Sequence, residues 1–185
     1  NTTTLPDMNV KTLADKKNII KSKDNAFELE MDITPNITGI TGIELYNAKG
    51  ENVKIYFDTK EKKLVMDRTE SGLIEFGNLS VPHDIEKNYS DVHQGAGNTP
   101  FRVFNSVNYK NDFALGTWAP LSLCKGKTYH VDIFVDKCSV EIFVDGGRIA
   151  MTNLVFPTTP YTSIKFYNKG TSASFHNIKI SELSL

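Results

Sequence analysis

The chain has 185 residues, 39% of them apolar and 23% charged, which is enough to bury the core of one sizeable domain. Its 21 Lys and Arg nearly balance 22 Asp and Glu, so no basic field draws in nucleic acid or an anionic membrane surface, and both are excluded as partners. No apolar run approaches the ~20 residues of a membrane helix. No charged-then-apolar signal opens the sequence, and "NTTTLPDMNV", without an initiator Met, reads as the start of a processed chain or an excised fragment.

Residues 1–25 read as a linker or N-terminal arm, in which Leu5, Met8, Val10 and Leu13 are spaced for a short helix or an extended segment. From residue 26 the pattern changes to strict alternation. In "FELEMDI", Phe27, Leu29, Met31 and Ile33 point one way and Glu28, Glu30 and Asp32 the other. "GIELYN", "NVKIYFD" and "KLVMDR" continue a meander of short antiparallel strands, separated by turn residues. "HVDIFVD", "SVEIFVD", "RIAMTNLVF", "SIKFYN" and "FHNIKISEL" follow, broken at Asp145-Gly146-Gly147, at Pro157 to Pro160 and at Asn168-Lys169-Gly170. About ten strands without a sustained helical period predict an all-β, antiparallel two-sheet β-sandwich of jelly-roll or concanavalin-like type, formed as a single domain by residues 26–185. Residues 78 to 112 lack this rhythm. They mix Gly, Asn and Pro with two His and several aromatics, and a connection this long is usually functional.

Four acids, Asp132, Asp136, Glu141 and Asp145, stand on the strands between residues 130 and 150. Glycoside hydrolysis needs two carboxylates roughly 5 to 9.5 Å apart, whereas strand residues four apart are ~13 Å apart at the backbone. These acids therefore read as the polar side of a sheet. His83, Asp84, Asp91 and His93 contain no tight ligand pair, so no metal site and no cofactor is expected. Gly95-Ala96-Gly97 lacks the strand and helix of a phosphate cradle, and no nucleophile elbow is present. The lone Trp, Trp118, is a packing residue if buried and a sugar platform if exposed. With it, Tyr89, His93, Phe101, Arg102 and Tyr109 form the candidate carbohydrate-binding set. Cys124 and Cys138 flank a strand whose length puts them roughly 25 Å apart, too far for a disulfide, and both read as small buried hydrophobes.

"VDKCSVEIFVDGGRIAMTNLVFP" resembles the C-terminal β-sandwich module of glycoside hydrolase family 32, the levanase, inulinase and invertase type. The matching positions are Asp136, Ser139, Val140, Glu141, Phe143, Asp145, Gly147 and Phe156-Pro157. A second signature of that module appears as "DRTESG", with Asp67, Arg68, Thr69, Ser71 and Gly72. The resemblance covers most of residues 26 to 185. It implies a sandwich that follows a catalytic propeller domain in the same polypeptide, a periplasmic or extracellular setting, and contact with fructan or another glycan or with a second copy of the chain. The propeller motifs Trp-Met-Asn-Asp-Pro-Asn-Gly, Arg-Asp-Pro and Glu-Cys are absent from the sequence, so no catalytic residue is assigned. The alternative is a stand-alone, lectin-like carbohydrate-binding module. Within the signatures, Arg68 is expected to form an ion pair with Glu141 or Asp136, because an acid on this strand either faces solvent or needs a partner.

Overall fold

The computed structural model describes residues 1–74, 113–122 and 126–183. It bears out the antiparallel sandwich, with 13 strands among the described residues. These are β1 (Thr2–Leu5), β2 (Met8–Val10), β3 (Leu13–Lys16), β4 (Phe27–Thr34), β5 (Ile40–Tyr46), β6 (Asn52–Asp58) and β7 (Lys63–Asp67), then β8 (Gly116–Pro120), β9 (Tyr129–Val135), β10 (Ser139–Val144), β11 (Ile149–Leu154), β12 (Ser163–Lys169) and β13 (Ala173–Glu182). One sheet runs β1-β13-β4-β9-β10-β11, with β2 also on β13; the other runs β3-β12-β5-β6-β7-β8. Among the described residues no helix is long and apolar enough to cross a membrane.

Alternation builds the core. β4 is buried at every second residue, which sends Phe27, Leu29, Met31 and Ile33 inward and leaves Glu28, Glu30 and Asp32 outside. The two inner faces meet through large side chains: Phe57 lies 5.0 Å from Tyr129 and Phe166 5.2 Å from Phe175, ring centre to ring centre, each pair spanning both sheets. Each such buried side chain contributes on the order of 1.5 to 3 kcal/mol.

Alternation fails where the chain departs from a flat pleat. In β13 the register slips between His176 and Lys179, with Asn177 at φ 52°, so Phe175 and Ile178 both reach the core although they are three apart. The segment before residue 26, expected as an arm, supplies β1 and β2 to one sheet and β3 to the other. The count therefore exceeds ten. β4 also leaves the meander: β5 to β8 pair in chain order, while β4 joins β9 and β13 in the opposite sheet.

Candidate functional site

The two family signatures meet in space, at the end of the sandwich where β7 and β8 face β11. Asp67, the last residue of β7, accepts hydrogen bonds from the Thr69 amide (2.9 Å) and hydroxyl (2.7 Å), which starts the turn. Arg68 pairs with neither Glu141 nor Asp136, contrary to expectation. Its Nε donates to the Phe113 carbonyl (2.8 Å), its Nη1 to the Leu154 carbonyl (3.0 Å), and its guanidinium lies 4.0 Å from the centre of the Phe113 ring. Burial alone pulls its pKa below the usual arginine value. Leu154 belongs to β11 of the other sheet, so Arg68 fastens one sheet to the other through backbone oxygens.

Ser71 is fully buried, and its carbonyl accepts the Tyr161 hydroxyl at 2.6 Å. Gly72 lies against the aromatic-Pro end of the first signature, and the next amide, of Leu73, donates to the Phe156 carbonyl at 2.8 Å. Glu51 completes the junction by accepting from the Thr158 amide at 3.1 and 3.0 Å. Burial opposes its charge, but bonds from Thr158 and Asn47, with Lys49 nearby, outweigh that and hold the carboxyl below its ordinary value.

The rest of the first signature shapes a hairpin. Asp136 Oδ1 accepts the amides of Cys138 (2.9 Å) and Ser139 (2.8 Å), and the Cys138 amide is the main reason its pKa falls. Cys138 is a free, exposed thiol on that turn, not a buried hydrophobe as the sequence suggested. Asp145, Gly146 and Gly147 take φ of 50°, 69° and 94°, the left-handed run that the β10–β11 turn needs. Glu141 and Phe143 point outward from β10, and Phe143 meets Phe134 edge to face at 5.9 Å. These roles set the backbone. None of them places an acid across a cleft.

The outer face of the same sheet holds the group the sequence did not single out. His130 Nδ1 lies 2.8 Å from Asp32 and its Nε2 lies 3.3 Å from Asp132, in poor hydrogen-bond alignment; Lys179 pairs with Glu30 at 3.1 Å. Register explains this: Lys179 faces Glu30, which faces Asp132, and Asp32 faces His130. The donor atoms of Glu30, His130 and Asp132 lie within 4.8 Å of one another, closer than the pair of a retaining glycosidase. Lys179 and a protonated His130 already supply the positive charge these acids need. The Asp32 bond is the first cause of a raised His130 pKa. A raised folded value adds stability below the ordinary pKa of about 6.5 and loses it as pH climbs through the folded value. The ring is 47% exposed, so solvent screening keeps this below about 1 kcal/mol. Wild type is expected to lose stability gently from about pH 6 to 8 and His130→Asn to be flat there, as read by urea midpoints; equal slopes would remove His130 from the network.

Of the candidate sugar-binding residues, Tyr89, His93, Phe101, Arg102 and Tyr109 lie outside the described residues. Trp118 lies on β8 and is 56% exposed, with the Lys63 ammonium 4.1 Å from its ring centre. It is not a core residue.

A variant tests the junction. Arg68→Ala is expected to lower the unfolding free energy by about 2 kcal/mol, since two charge-assisted bonds and a ring contact are lost. Arg68→Lys should restore less than half, because an ammonium cannot span two carbonyls and lie flat on Phe113. Full recovery with Lys would mean that charge alone matters.

Comparison with known proteins agrees with this picture. The model of the family described as "Glycosyl hydrolases family 32 C terminal" matches residues 1–182. A levanbiose-producing levanase of Bacillus subtilis (strain 168) is 35% identical over 95 residues, 51% of this chain and 17% of the relative. A levanase of Bacillus sp. (strain L7) is 22% identical over 171 residues, 90% of this chain and 15% of the relative. The chain thus spans under a fifth of the length of these two relatives. Among solved structures, the fructosyltransferase from A. japonicus superposes with a TM-score of 0.69 at 16% identity, over 100% of this chain and 26% of that one, which is a likeness of fold. With the two signatures meeting at one junction and the family model covering nearly the whole chain, this protein belongs to glycosyl hydrolase family 32 as its C-terminal β-sandwich domain.

Proposed function

We propose that this chain is the non-catalytic sandwich module of a fructan-degrading glycoside hydrolase of the levanase or β-fructofuranosidase type, packed on a catalytic propeller of the same polypeptide. The observation that carries this reading is the family match over residues 1–182 of a chain that amounts to only 26% of a solved neighbour and 15 to 17% of two levanases. The described carboxylates support the absence of catalysis by this module. Asp136 accepts backbone amides, Asp132 lies against the His130 ring, Glu30 pairs with Lys179, and Glu51 holds the Thr158 loop. A periplasmic or extracellular location belongs to the same reading, because polymeric fructans do not cross membranes. The isolated chain is expected to release no fructose from levan, inulin or sucrose. Turnover above a heat-killed control, reproduced in a second preparation, would overturn it.

A second reading, a lectin-like carbohydrate-binding module, is favoured by one observation, the exposure of Trp118. The two are compatible, since a module can both dock and bind. A second copy of the chain as partner is tested by sedimentation, where a single species of 20.7 kDa would remove it.

A further inference from the structure

The outer face of the six-stranded sheet carries a row of side chains that register alone brings together. Leu13 of β3 faces Tyr167 of β12, which faces Gly42 of β5, then Tyr56 of β6, Val65 of β7 and Trp118 of β8. Five interstrand steps of ~4.8 Å make this stripe about 24 Å long. Both of its ends are open, with Leu13 55% and Trp118 56% exposed. At its centre Gly42 has no room for a Cβ, which would come within 2.5 Å of the Tyr56 Cβ, and the two tyrosine rings lean towards each other over it, 6.4 Å apart and tilted by 60°.

The neighbouring row on the same face is polar and alternates in sign: Asp15, Lys165, Glu44, Lys54 and Asp67. Between the rows lies an open cavity of about 570 Å³, lined among others by Leu13, Glu44, Lys54, Tyr56, Asp67 and Tyr167. The Tyr167 hydroxyl is shielded from solvent and is one of three such described side-chain atoms without a hydrogen bond.

We propose that this face is a binding groove for a neutral polyhydroxylated chain, a fructan segment laid across the strands from Tyr167 towards Trp118. Aromatic rings beside alternating donors and acceptors match a sugar, whose ring presents C–H faces and whose hydroxyls both give and take hydrogen bonds. The near balance of charge in the polar row disfavours a polyanion or polycation. Packing over a strand glycine explains the two tyrosines as sheet residues. It explains neither the exposed Trp118 in the same row nor the cavity beside them. The choice of fructan as the polymer rests on the function proposed above; the groove does not.

The test is native electrophoresis of the whole chain through gels containing levan, inulin, dextran or no polymer. Wild type is expected to be retarded by levan or inulin. Trp118→Ala and Tyr56→Ala should each weaken that retardation by about fivefold or more, with unchanged melting temperature, and Glu44→Gln should weaken it less. Trp118 is exposed, so its variant reports binding even if Tyr56→Ala perturbs folding. Retardation that survives in both aromatic variants would overturn the groove and leave fructan binding to another part of the chain. Retardation by dextran alone would keep the groove and overturn fructan as its ligand. Migration unaffected by every polymer would overturn the binding proposal while leaving the non-catalytic module reading in place.

Discussion

Gly72→Ala is expected to lower the unfolding free energy by about 3 kcal/mol, although it adds a single methyl group. Gly72 has φ of +142°, a region that side chains rarely enter, and an added Cβ would fall on the Phe156 carbonyl oxygen, 2.6 Å from Pro157 Cα and 2.7 Å from Glu51 Oε2. Two of these three atoms are backbone, and the third belongs to a carboxylate held by Thr158 and Asn47. No flexible side-chain end can swing aside. The methyl must push residues 156 and 157 away, and with them the Leu73 amide bond to the Phe156 carbonyl. A urea titration reads the loss directly. A shift under about 1 kcal/mol would show that the junction yields, and that the glycine of this signature is not fixed by contact.

Legibility in the sequence followed how far each residue's environment is set by its own neighbours in the chain. β4, β9 and β10 were legible because one face is core and the other solvent, so burial alternates along each of them. β1 was not. Thr2, Thr3 and Thr4 are all exposed, because an edge strand is held by hydrogen bonds to β13 and not by an apolar face, and it leaves no period to read. The signatures placed Asp67, Arg68, Ser71, Gly72, Asp136 and Ser139 at one functional level, yet the partner predicted for Arg68 was an acid. That expectation started from the needs of the acids, whereas Arg68 is placed by its own need for acceptors. The acceptors are carbonyls of Phe113 and Leu154, 45 and 86 residues away, and a carbonyl has no side-chain letter to announce it. The Leu13-to-Trp118 row escaped for a similar reason: its members come from six strands, and only the pairing register aligns them.

The same limit hid the buried polar cluster that fixes the N-terminal strands, where Asn168→Ala is expected to cost about 3 to 4 kcal/mol. Asn168 is 3% exposed at the end of β12. Its amide nitrogen donates to the carbonyls of Val10 (3.2 Å), Lys11 (3.1 Å) and Thr171, and its side-chain oxygen accepts from the Thr41 hydroxyl (3.0 Å) and the Asn36 amide. Its backbone amide donates to the Thr12 carbonyl at 2.8 Å. The chain crosses from one sheet to the other between β2 and β3, so Asn168 stands in for ladder bonds at a corner that has none. Truncation leaves several shielded carbonyls without a donor, each costing on the order of 1 to 3 kcal/mol before relaxation or water entry reduces the sum. Asn168→Asp keeps the shape but turns an acceptor towards those carbonyls, so it should be at least as damaging as Ala at neutral pH. Hydrogen exchange at the Asn168 amide separates a local from a global effect. If the cluster fastens the N-terminal strands, that amide should lose more protection than those of β9 and β10, and proteolysis should begin between residues 10 and 18. Uniform loss across the sandwich would make Asn168 an ordinary core residue, and a change within about 1 kcal/mol would mean that water replaces its amide at no cost.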